Sequence, residues 1–205
     1  SDVASSKVIS DVIEELFEKR EIYYETLILE SSSHISDTIS NIPARHGKQL
    51  MKIHKTKSIE MLETDKSLVI FAKIIELMLK FLETFQFSNK VAKLIYFIAY
   101  IEEPFDDEVV DKYYNQWTPT DAVGYPAQFT YFLRNTEFSI ELLTFEWWTD
   151  ELCSVFKFQI INIFPRQDME WAIFPLEIES KFHDFHNCSI YADSLIYQLS
   201  VLDYL

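Results

Sequence analysis

Residues 66–101 read KSLVIFAKIIELMLKFLETFQFSNKVAKLIYFIAYI, and the reading of this stretch decides the fold. Apolar side chains at Leu68, Val69, Phe71, Ala72, Ile75, Met78, Leu79, Phe81, Leu82 and Phe85 would surround most of a helix, and such a helix is buried on most sides. Thr64 and Asp65 stand before it as N-cap residues. Ser88 or Asn89 opens a second apolar segment through Val91, Leu94, Ile95, Ile98 and Ile101. The pattern predicts a buried central helix, with 66–101 as the centre of a helical bundle.

Glycine usage points the same way. Gly47 and Gly124 are the only glycines in 205 residues, against an ordinary share of about 7%. Hairpins need glycine at positive φ, and α/β enzymes need it where backbone meets phosphate. The expected class is therefore all-α, an irregular bundle of about seven to nine helices of ordinary length.

Outward from the centre, Ile9, Val12, Ile13, Leu16, Tyr23 and Leu27 recur at helical spacing and predict a long helix over 6–29. Ile35, Ile39 and Ile42 suggest a short helix that Pro43 ends. A basic helix follows over 48–62. Asp106 and Asp107 cap a helix reaching Trp117. Pro119, Gly124 and Pro126 make 118–126 a loop, a boundary between two layers of a single domain over 1–205. Residues 137–164 read as two helices broken near Thr149. Val155–Ile160 partly alternates, which leaves a strand open, but no glycine turn returns a hairpin and helix is preferred. A last helix is expected over 189–202.

The net charge of −15 lies almost wholly in residues 101–205, which hold 19 acidic and 5 basic side chains. Phosphate backbones are repelled by such a surface, so direct nucleic-acid binding is not expected. The contrary segment is Ala44–Lys57, with Arg45, Lys48, Lys52, Lys55 and Lys57 and no acid. A solvated face explains it most simply. No apolar run is free enough of charge to span a membrane. Two cysteines, Cys153 and Cys188, are too few for a disulfide framework, and no signal peptide is visible, so an intracellular compartment is expected.

The search for chemistry returns little. Neither glycine has a second within reach, which excludes the dinucleotide fingerprint and the P-loop. Cys153 lies in an apolar stretch and reads as a buried thiol. The acids Glu102, Glu103, Asp106, Asp107, Glu108 and Asp111 invite a carboxylate-pair or metal reading, but a helix start explains them as caps and dipole partners. His183 and His186, with Cys188 beyond, have metal-like spacing but no second cluster. No resident cofactor is implied. His34, alone at a Ser-rich junction, could lend one ligand to a zinc ion shared with a partner.

Aromatic residues are the positive sign of binding. Trp117, Tyr125 and Phe129 belong to a crowd around the 118–126 loop, and Trp and Tyr are enriched where interfaces desolvate. Grooves there and the face of Ile9, Val12, Ile13 and Leu16 are the expected partner-binding surfaces. They predict a non-enzymatic adaptor that holds two different proteins through helical segments. The first helix would also permit a homodimer. Two other classes stay open: a regulator that sequesters one partner helix, and an enzyme built on the acidic cluster or the His183/His186 pair.

The acidic chain, the long first helix and the Ser-rich turn with His34 resemble the TRF-homology-like helical adaptors, the bridging subunits of the telomeric shelterin complex of fission yeast. That resemblance implies a TRF-homology-like bundle. It implies a scaffold role joining double-strand to single-strand telomere-binding modules without touching DNA, and a place in the nucleus, on the chromosome, over the cytosol.

Overall fold

Ser67–Ala72 is a strand, and all six of its residues are buried. The computed structural model describes residues 3–29, 42–43, 46, 49–56, 63–64, 66–84, 86–87, 95–114, 129–146 and 157–178. Within them the chain runs α1 (Val3–Ile13), a π-helical turn (Glu14–Glu18), β1 (Tyr24–Leu29), β2 (Gln49–Thr56), β3 (Glu63–Thr64), β4 (Ser67–Ala72), α2 (Ile75–Thr84), β5 (Gln86–Phe87), β6 (Phe97–Ile101), α3 (Asp107–Tyr114), β7 (Thr130–Asn135), β8 (Ser139–Glu146) and β9 (Lys157–Pro165). Seven strands form one sheet in the order β2-β1-β4-β6-β7-β8-β9, while β3 and β5 pair by themselves. Strands β2, β1, β4, β6 and β7 are parallel. Strands β8 and β9 continue as an antiparallel meander.

The expected all-α bundle is therefore corrected to a mixed sheet with helices on both faces. The TRF-homology-like fold goes with it, and so does the all-helical chain on which the telomeric resemblance rested. Inside 66–101 the helix is confined to Ile75–Thr84, flanked by β4 and β6. The predicted helix over 6–29 ends in the π turn, and 24–29 is strand β1. The predicted basic helix contains strand β2. In place of two helices over 137–164 stand β8 and β9. The expected short helix, apart from Ile42, the 118–126 boundary and the 189–202 helix lie outside the described residues.

Burial on both faces is why these strands carry unbroken apolar runs. Alternate residues enter two cores. Tyr24, Ile28, Val69, Phe71, Ile98, Tyr100, Tyr131 and Leu133 join α1 on one face. Leu27, Leu29, Leu68, Ile70, Phe97, Ala99 and Phe132 join α2 and Val110 of α3 on the other. A period of two puts successive side chains on opposite faces, so SLVIFA fills both cores at once.

The chain leaves α1 through wider turns, with Lys19 N donating to Glu14 O at 3.0 Å and Ile22 N to Phe17 O at 2.8 Å. Glu21, at φ 55, then takes the left-handed conformation that ends helices. The rings of Phe17 and Tyr24 stack at 4.8 Å across this exit. Two buried phenols anchor the α1 face. Tyr24 Oη donates to Pro43 O at 3.1 Å, and Tyr100 Oη to Ser5 Oγ at 3.0 Å.

Burial raises the pKa of both phenols above the ordinary value, which lies near 10. A raised folded pKa gives stability that is complete below the unfolded value and lost as pH rises through the folded one. Thermal stability should therefore fall above about pH 10 as these phenols are forced to ionise. In a Tyr24→Phe variant the fall should be shallower, measured as melting temperature against pH. An alkaline limb identical to that of the parent would contradict this role.

The described residues include no glycine, and their turns are made by other means. At the β7–β8 corner Thr136 replaces glycine: its N–H and its hydroxyl both donate to Ser139 O at 2.9 Å, and Ser139 N donates back to the hydroxyl at 3.0 Å. Side-chain oxygens that satisfy local backbone groups make such turns stable.

Candidate functional site

In open sheets of this kind, ligand contacts gather beyond the carboxyl ends of the parallel strands, where the connections diverge. In this chain that edge presents Lys73 after β4, Glu102–Phe105 after β6 and Thr136–Phe138 after β7. Backbone pairing runs past the strand ends, with Glu102 N bonded to Ala72 O and Glu103 N to Lys73 O, each at 2.9 Å. Asn135 Nδ2 donates to Ile101 O at 2.6 Å, and an Arg166 guanidinium nitrogen donates to Asn135 Oδ1 at 2.8 Å. Burial lowers the pKa of Arg166. The edge is a fixed platform.

A cleft of about 600 Å³ opens on it, lined by Pro104–Glu108, Arg134–Glu137 and Glu141. Arg134 lies in its floor with only 11% of its side chain exposed. Its Nε donates to Glu141 Oε2 at 2.7 Å, a terminal nitrogen donates to Asp107, and the guanidinium carbon stands 5.3 Å from the centre of the Phe105 ring. Burial by itself would lower the Arg134 pKa, but bonds and charge from Asp107 and Glu141 outweigh it and the net direction is upward. Two carboxylates already neutralise this cation, so it is a structural strut and a poor anion receptor.

The cleft mouth belongs to acids. Asp106, Glu108 and Glu137 are exposed, and among the described residues none of the three enters an ion pair. Lys73, the basic residue after β4, is engaged with Glu103 at 3.6 Å. A phosphate would meet negative potential here. It would also meet side chains at Lys73 and Ile74, where a phosphate cradle needs bare backbone.

The structure places the sequence-predicted residues as follows. Ile9, Val12, Ile13 and Leu16 are buried to within 1% beneath the sheet. The partner-binding role expected of them is corrected, because they have no exposed surface to offer. Phe129 is likewise buried, and its ring meets Tyr96 edge-on at 5.6 Å. His34, Trp117 and Tyr125 lie outside the described residues, as do Cys153, His183, His186 and Cys188. Among the described residues no group of three His, Cys, Asp or Glu could hold a metal ion, and no helix is long and apolar enough to cross a membrane.

The acids at 102–111 were visible in the sequence as a cluster. Arg134, which bonds Asp107 across 27 residues, and its strand partner Glu141, 7 residues further on, were not. Comparison with family models, with curated proteins and with solved structures found no match for the chain. Function must therefore be argued from the site.

Proposed function

We propose that this chain is a protein-binding domain, the adaptor class that its aromatic and acidic composition suggests, with the carboxyl edge of the parallel sheet as its contact face. The observation that carries the reading is the cleft itself. Its one buried cation is consumed internally by Asp107 and Glu141, and its open rim is carboxylate. Small-molecule sites are enclosed and mostly apolar, with a few polar groups aimed inward. This one is wide, charged at the mouth and held on rigid strand ends, which suits a positively charged protein surface. Nucleic acid is disfavoured by the same charge.

Affinity capture with the full chain, set beside a Glu108→Arg/Glu137→Arg variant, tests the reading. Both positions are exposed, so the fold should tolerate the change. Proteins held by the parent chain should be lost from the variant and released by salt, because rim charges act through screened attraction. Retention of the whole captured set by the variant would move the contact face elsewhere.

A further inference from the structure

The α3 side of the sheet carries an apolar strip beside the acidic cleft, and register fixes how close the two are. Arg134 of β7 is paired with Glu141 of β8, and Glu141 with Ile163 of β9. Directly paired residues point to the same face, with Cα atoms about 4.5–5.5 Å apart. The Arg134–Glu141 and Arg134–Asp107 bonds show that this face is the one that α3 covers. One step along, Phe132 pairs with Leu143 and Leu143 with Ile160. Further still, Phe158 pairs with Phe145 and is covered by the Phe105 ring at 6.4 Å. Cover stops there. Ile160 is 44% exposed and Ile163 36%, on the edge strand of the sheet, whose one neighbour β8 is buried from Leu142 to Phe145.

We propose that Ile160 and Ile163, with the acids Glu108 and Glu137 of the adjoining cleft, form a docking surface for a basic amphipathic helix of another protein. This rests on the binding reading above and names its partner. Apolar anchors spaced i, i+3 and i+4 on such a helix fit an apolar strip, and Lys or Arg beside them would meet the carboxylates. Charge complementarity selects this occupant. A second copy of the chain offering the same face would bring two acidic rims together, since a two-fold contact uses the same patch on both copies. A small amine would leave Ile160 and Ile163 in water. A strand added to the edge of β9 meets an obstacle: Ala172 N already donates to Ile163 O at 2.8 Å, and the Asn162 side chain holds both N and O of Ile173.

The probe is a synthetic Leu/Lys peptide of about 18 residues, five helical turns, with Leu on one face. Its controls are the same composition scrambled and the same pattern with Glu for Lys. Binding to the full chain is followed by fluorescence anisotropy at physiological salt. The patterned Lys peptide should bind, and both controls should bind at least about tenfold more weakly. Ile160→Ser/Ile163→Ser and Glu108→Arg/Glu137→Arg should each weaken it by about tenfold, with melting temperatures showing that both variants fold. Equal binding of the scrambled peptide would reduce the effect to bulk charge attraction and overturn the proposal. So would unchanged binding by either folded variant, or light scattering that shows the chain pairing with itself through Ile160 and Ile163. If the peptide fails while Glu108→Arg/Glu137→Arg still releases captured proteins, the helix proposal falls and the binding reading stands.

Discussion

Changing Ile13 and Leu16 together to Arg should unfold the domain. Both side chains are at most 1% exposed and lie in the core shared by α1 and the sheet. Each change forfeits about 1.5–3 kcal/mol of apolar burial. Each also asks an unpaired guanidinium to leave water, at several kcal/mol more. The sum matches the roughly 5–15 kcal/mol by which a whole domain is stable. Circular dichroism and a thermal melt are sufficient measurements. The expected double mutant shows no cooperative transition. A variant that melted cooperatively near the parent temperature would show that α1 is a peripheral element after all.

The Arg134 cluster should give the second largest effect, in a form that separates two kinds of contribution. Glu141→Leu strips the buried guanidinium of its better-shielded partner, leaving it to Asp107, which is 61% exposed. Breaking a buried pair from one side costs about 3 kcal/mol. Removing both charges, in Arg134→Met/Glu141→Leu, should cost less than the single change, because no cation is then left short of a partner. Urea unfolding of the three proteins decides it. A double variant less stable than Glu141→Leu would mean that Arg134 packs chiefly through its alkyl stem and its Phe105 contact.

The misreading of the fold has a physical origin. Val69, Ile70 and Phe71 are β-branched or aromatic, a composition that favours strands, and the run ends within six residues. Yet both faces of β4 are buried, so the alternation that marks a half-exposed strand is missing. A short unbroken apolar run then looks the same whether it is strand or helix. Glycine scarcity misled for a related reason. Parallel strands are joined by crossovers such as α2 and α3, which need no positive-φ hairpin. The corner at Thr136 shows that a hydroxyl can take the place of glycine at an antiparallel turn. Helical spacing in 6–16 was legible because α1 is buried on one face alone, but the same spacing cannot report which partner covers that face. Of the candidate site, the acids around Asp107 were legible as composition. Their pairing with Arg134, and the register that sets Ile163 beside Glu141, arise from contacts far apart in sequence.

The cover over α1 is completed by the far end of the described chain. Trp171, Leu176 and Ile178 share its core, Trp171 Nε1 donates to Asp11 at 3.0 Å, and an Arg20 guanidinium nitrogen donates to Ile178 O. During synthesis, residues 3–17 emerge with their apolar face ready; the sheet strands that pack on it follow first, and Trp171 and Ile178, which complete its cover, are more than 150 positions behind. At about 5–20 residues per second, the ribosome leaves that cover incomplete for roughly 8–30 seconds. Over that interval the uncovered part of the α1 core should attract a chaperone, and a nascent chain halted before Trp171 should stay chaperone-bound longer than one halted after Ile178.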